Sequence, residues 1–137
     1  MTAGIPAGFV DPLDAGQVAS VLTVALERLG MTGLVELLSR IPGLRIDPGQ
    51  AGGLFRPARP ARVFAGEEVV ALTRPVVREH VVGGIVLGRN TVRPAEVPGL
   101  LAWAVCTAVA DYGDAEQASV VLTSARDALG SAGAPPN

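Results

Sequence analysis

Glu79, His80, Arg89 and Asn90 are the residues of this chain whose types and spacing come nearest to reactive chemistry. An imidazole beside a carboxylate can move a proton, and a guanidinium with an amide can hold an oxyanion. The four fall in VVREHVV and IVLGRNTV, two β-branched runs separated by Gly83-Gly84. That pattern predicts a hairpin, because both central residues of a type I′ turn need positive φ. With such a turn Val82 is expected to face Ile85, His80 to face Leu87, and Arg78 to face Arg89. Glu79 and Arg89 then stand diagonal to adjacent, within reach of a cross-strand ion pair. Catalysis would also need a pocket and a nucleophile, and the sequence identifies neither. The four are read as charge pairing on a half-exposed sheet.

The second group is Arg56, Arg59 and Arg62 in RPARPAR. In a polyproline II conformation, at three residues per turn, all three guanidinium groups would share one face and could clamp a phosphate or carboxylate. The plainer and preferred reading is a solvated Arg/Pro linker. Nucleic acid is a poorer partner still. The chain is acidic, with a pI near 5.3, and the run lacks interleaved aromatic platforms, although Phe55 and Phe64 flank it.

Composition excludes much else. All 11 basic residues are Arg, so no Schiff-base lysine, pyridoxal phosphate anchor or P-loop lysine exists. One Cys, Cys106, allows neither an intrachain disulfide nor a C-x-x-C site, and it is assigned to the core. One His rules out multi-histidine metal sites. No serine sits in G-x-S-x-G. Gly83, Gly84 and Gly88 are not a dinucleotide fingerprint, since they lie within strands and no helix opens after them. No catalytic residue, metal or cofactor is expected, and the chain is read as not an enzyme.

The elements that must position these groups begin with a near-repeat. Residues 14–30, DAGQVASVLTVALERLG, and 114–130, DAEQASVVLTSARDALG, are identical at nine of 17 positions. Asp14 and Asp114 read as N-caps, Gln17 completing a capping-box variant, and Gly30 as a C′ terminus. A start at Asp11 with Pro12 in the first turn is the alternative. Ala15, Val18, Leu22, Ala25 and Leu29 are spaced 3, 4, 3, 4, as are Ala115, Ala118, Leu122, Ala125 and Leu129. Each set is the seam of a helix–helix interface, within one chain or between two. Duplication and compositional convergence explain the repeat equally well.

A shorter helix is expected from Thr32 or Gly33 to Arg40, stopped by Pro42. Residues 42–66, rich in Pro, Gly and Arg, read as an ordered loop with a short strand at its end. Strands follow at Glu67–Thr73, Val76–Val82 and Ile85–Val92, then a helix apolar nearly all round from Leu100 to Ala110, then the second copy of the repeat. The tail after Gly130 is expected to fray. The fold class is therefore α+β: two N-terminal helices, a three-stranded antiparallel meander, and two C-terminal helices packed on the sheet. Residues 1–137 form one domain, divided into a helical hairpin (14–41), a loop (42–66) and a sheet with two helices (67–130).

With 49% hydrophobic and 18% charged residues and a mean hydropathy of +0.41, the chain is apolar for its length. That suits a tight helical core, an oligomer interface or attachment to a membrane surface. The longest uncharged run, Val97 to Ala110, has 14 residues, against about 20 needed to cross a bilayer. No transmembrane segment is expected. The N-terminus lacks the basic and apolar regions of a signal peptide, so a cytoplasmic location is expected. Arginine without lysine, amid abundant Ala, Gly and Pro, suits a high-GC bacterial genome. Residues 40–93 hold nine of the arginines against four acids, while both ends are acidic. The expected reason is acidic helices lying against a basic sheet, a bound anion being the alternative.

The function favoured by these features is a protein-interaction module that self-associates, or docks on a protein partner, through its Ala/Leu helix faces. Binding of a small anion by the central arginines, or of an apolar molecule between sheet and helices, is the alternative. An enzyme built on Glu79, His80, Arg89 or Asn90 ranks last.

Overall fold

A computed structural model describes residues 13–50 and 52–133. Helix α1 (Ala15–Ser39) leads into strands β1 (Arg45–Asp47), β2 (Arg62–Ala65), β3 (Glu68–Ala71), β4 (Val77–Val82) and β5 (Ile85–Thr91). A 3-10 turn at Pro94–Glu96 opens α2 (Val97–Tyr112), and α3 (Ala115–Gly133) follows. The fold is α+β, with one antiparallel sheet in the order β1-β2-β3-β4-β5.

Two counts differ from the sequence reading. The sheet has five strands, because β1 and β2 pair through Arg45–Asp47 and Arg62–Ala65 and extend the expected meander at one edge. β2 is the short strand expected at the end of the 42–66 segment; β1, of three residues, is too short to show an alternation, and the surrounding Pro and Gly hide it. Among the described residues the α-helices number three and not four, because the two expected N-terminal helices adjoin with no loop between them. Gly30 alone leaves the helical region (φ 73°, ψ −173°), and α1 continues through that kink as one element. Only glycine takes that φ without strain.

Both caps form. Asp14 Oδ1 accepts from the Gly16 and Gln17 N–H groups, and Asp114 Oδ1 accepts from the Gln117 N–H. The alternative start at Asp11 and Pro12 lies outside the described residues. Gly130 does not end α3, which continues to Gly133, so the helix outlasts the repeat; residues 134–137 lie outside the described residues.

Helix α2 is the centre of the core, with Leu101, Ala102, Ala104 and Val105 at 0–1% exposure. It lies between the sheet, which contributes Val63 and Val70, and α1, which contributes Leu22, Leu34 and Leu38. Cys106 is half-buried at the border of this core, its thiol 4.0 Å from the Leu13 carbonyl. A Cβ on Gly113 would collide with the Pro42 carbonyl, so the α2–α3 turn seats directly on the segment leaving α1.

The two similar helices pack on each other within the chain. Val18, Leu22 and Ala25 are buried, as are Ala118, Leu122 and Leu129. Ala115 and Ala125 are half-buried, whereas Ala15 is exposed and Leu29 is 51% exposed beside the kink. Helix α1 is also long and apolar enough to cross a membrane by length and composition, with a mean hydropathy of 1.5 in its best window. Uncharged runs stop at every charge, whereas a windowed average passes over Glu27 and Arg28; the core helix of a globular protein meets the same criterion.

Truncating Leu22 to Ala is expected to destabilise the fold by about 2–5 kcal/mol, because it empties a fully buried site. Leu29→Ala is expected to cost less than about 1 kcal/mol. Urea denaturation of the two variants checks this ordering, and equal losses would contradict it.

Candidate functional site

Alternation along β4 decides which polar groups meet. Arg78 and His80 project toward the α2 side of the sheet, and Glu79 projects away from it. The β3–β4 turn is centred on Arg74, which pairs Glu68 with His80 and Val70 with Arg78. Glu68 therefore joins Arg78 and His80 on one face. Its carboxylate accepts from Arg78 Nε at 2.6 Å and is 2.7 Å from His80 Nδ1. The Arg78 guanidinium in turn lies 5.3 Å from the centre of the Trp103 ring on α2, a cation–π contact.

These groups line a cleft of about 850 Å³ between the sheet and α2, which Asn90, Thr91, Leu100 and Glu96 complete. Burial would raise the pKa of Glu68, but the hydrogen bonds from Arg78 and His80 outweigh it and hold the carboxyl below its ordinary value of 4.5. An ionised carboxylate only accepts, so its partner assigns the proton to His80 Nδ1. Nε2 is then left for the cleft, as an acceptor on the neutral ring and a donor on the charged one. The two terminal nitrogens of Arg78 make no hydrogen bond among the described residues.

The hairpin cluster expected from the sequence is thus split. His80 and Asn90 line the cleft, whereas Glu79 and Arg89 pair on the opposite face, both Arg89 Nε and Nη2 donating to Glu79 Oε2. The pairing differs from the expected one by a residue. The Gly83-Gly84 turn and the Val82↔Ile85 pair are as expected, but an irregularity between His80 and Val81 shifts the register. His80 faces Gly88 and not Leu87, Arg78 faces Asn90 and not Arg89, and Glu79 stands directly opposite Arg89. Sequence reasoning missed Glu68, Arg78 and Trp103. The available signal was the turn at Arg74-Pro75, since residues equidistant from its centre must face each other.

The three loop arginines do not form a polyproline face. Residues 50–59 double back, with bridges Gln50↔Arg59 and Gly53↔Arg56. Arg59 and Arg62 both reach Asp47, at 3.2 and 3.5 Å, while Arg56 is exposed with no ion pair among the described residues. The Gly49 N–H, and then Arg59, hold the Asp47 carboxyl below its ordinary value. An internal carboxylate therefore occupies the position an external anion would take between Arg59 and Arg62. Nor do the acidic helices neutralise the sheet. Among the described residues every ion pair is local, and none joins a helix to the sheet.

A second cleft, of about 450 Å³, lies between α1 and α3, lined by Val18, Val21, Val24, Leu122, Leu129, Arg28 and Arg126 among others. Two of its polar groups are engaged within α1 itself. Asp14 is spent on its cap, and the Ser20 hydroxyl donates to the Gly16 carbonyl of its own helix.

A family model described as a domain of unknown function, DUF5073, matches residues 10–130. Comparison with curated proteins and with solved structures finds no match.

Because the folded pKa of Glu68 lies below the unfolded one, its contribution to stability is complete above the unfolded value and is lost as pH falls through the folded value. Glu68→Gln is therefore expected to lower stability at neutral pH and to flatten the fall in stability below about pH 4.5. Thermal melts across an acid series check this; an unchanged acid limb would show that Glu68 is not the group titrating.

Proposed function

We propose that this chain, which belongs to the DUF5073 family, binds a small flat molecule carrying a carboxylate or similar anionic group in the cleft between the sheet and α2. One observation carries the reading. Arg78 is braced by Glu68 on Nε and by the Trp103 ring on its face, and its outer nitrogens are unused. A guanidinium fixed in this way meets an oxyanion with a fork of donors whose orientation has already been set. The indole face beside it suits an apolar ring, and His80 Nε2 and the Asn90 amide offer further polar contacts.

Binding is favoured over catalysis by what surrounds His80. Thr91 is the sole hydroxyl lining the cleft, and it pairs with Val77, three positions along β4 from His80. No nucleophile is placed beside the imidazole for it to activate.

Trp103 is the one tryptophan of the chain, so occupancy of the cleft is read directly from its fluorescence. Titration with benzoate and nicotinate is expected to give a saturable change, weakened about tenfold or more by Arg78→Ala. No change with either probe, or equal affinity in the variant, would remove the proposal.

A second reading, self-association, is supported by β5. The Ala/Leu seams are spent inside the chain, but β5 is a sheet edge exposed along all seven residues, with Ile85 64%, Val86 48% and Leu87 62% exposed. An open edge with an apolar row is a template for pairing with a second strand. Light scattering on a sizing column is expected to show a dimer that Val86→Lys returns to monomer; a wild-type monomer at the highest soluble concentration would end this reading.

A further inference from the structure

We infer that the end of the sheet bearing the 50–59 loop is a docking surface for an anionic lipid bilayer. Leu54 and Phe55 are the most exposed large apolar side chains described, at 89% and 91%. They occupy the two central positions of a closed turn. Gly53 and Arg56 exchange both backbone hydrogen bonds across it, at 2.9 and 3.4 Å. Below them Gln50 and Arg59 exchange another pair, at 2.8 Å each. The stem is thus held before any partner arrives, and presenting the tip costs little ordering entropy.

The charge around this tip is predominantly positive, although Asp47 already pairs with Arg59 and Arg62. Arg56 lies directly beside Phe55, Arg59 and Arg62 stand on the returning strand, and antiparallel order brings the β3–β4 turn with Arg74 to the same end of the sheet. The Leu72 N–H donates to the Ala61 carbonyl, joining the two loops there. These loops hold four arginines against one acid, Asp47. Arg56 and Arg74 are exposed with no ion pair among the described residues. An apolar tip above a cationic collar matches the layering of a bilayer surface, where acyl chains lie beneath anionic headgroups.

Single-stranded nucleic acid would use the same arginines, but it needs successive aromatic platforms. Only Phe55 is free here, since Arg45 and Arg62 cover the Phe64 ring at 4.6 and 5.6 Å. Leu54 has no role in stacking, whereas a bilayer takes both side chains. The apolar hairpin tip at Gly83-Gly84 lies at the opposite end of the sheet and takes no part.

The test is flotation of the full chain with vesicles of phosphatidylcholine, alone or with an equal part of phosphatidylglycerol. Binding is expected only with phosphatidylglycerol, and to be weakened by high salt. Leu54→Ser with Phe55→Ser is expected to weaken it at least tenfold, and Arg56→Ala and Arg74→Ala by roughly fivefold each. All four side chains are exposed, so unchanged melting of the variants separates lost docking from lost folding. Failure to float with phosphatidylglycerol, full binding by the Leu54/Phe55 variant, or tighter binding to an oligouridylate than to vesicles would each overturn the inference. The Trp103 titration concerns a different face of the molecule, so either result stands without the other.

Discussion

Burial of α2 from two sides is the constraint on which the rest of this structure depends. A helix that is apolar nearly all round has no face to offer water, so a layer must cover it on each side. The sheet supplies one layer and α1 the other, and Ala102, Ala104 and Ala108 let both approach closely. The geometry of the candidate site follows. The helix packs on the sheet at β2 and does not cover β4 and β5. Trp103, at the border, is 39% exposed while Ala102 and Ala104 beside it are buried. The cleft is the step where one layer ends before the other.

At that step the sheet presents paired charges on β3 and β4. Glu68 is only 18% exposed, and it is accommodated because two donors meet its two oxygens. The same alternation sends Glu79 and Arg89 to the other face, where they pair with each other. With Arg78 43% and Arg89 67% exposed, solvent screens both pairs, so their contribution to stability is modest and they also supply orientation. Arg78 is held at a fixed angle to the Trp103 ring because Glu68 fixes its Nε.

How much of this was legible depended on the length over which each signal repeats. The α2 pattern extends over eleven residues from Leu100 to Ala110, and the helix is where it was expected. The caps at Asp14 and Asp114 and the Gly83-Gly84 turn rest on single residues with one dominant conformation, and these too were legible. The break at Gly30 has the same origin and was legible as a positive-φ glycine; what the sequence did not show is that helix resumes at once, with no loop between the two segments. The candidate site was half legible for a different reason. His80 and Asn90 could be seen as polar residues on a hairpin, but their partners depend on register. One irregularity between His80 and Val81 changes every facing pair from His80 onward, away from the turn. Trp103 belongs to another element and could be joined to them only by tertiary packing.

The near-repeat is best understood through the same layering. Of the nine identical positions, seven are capping residues, seam residues or the glycine, which a helix packed by such a seam requires; Val21/Val121 and Thr23/Thr123 are the other two. The differing positions follow the number of neighbours. Val24 and Leu26 of α1 are half-buried, because that helix touches both α2 and α3, whereas the corresponding Ser124 and Arg126 of α3 are exposed. Val18 is matched by Ala118, both buried, so the seam itself sets only a small-to-medium size at that position. Whether the two segments arose by copying or by convergence, their differences are accounted for by α1 being an inner helix and α3 an outer one. The repeat therefore reports on layer position in the fold. The candidate site of Arg78, His80 and Asn90 lies between its two copies, on the sheet.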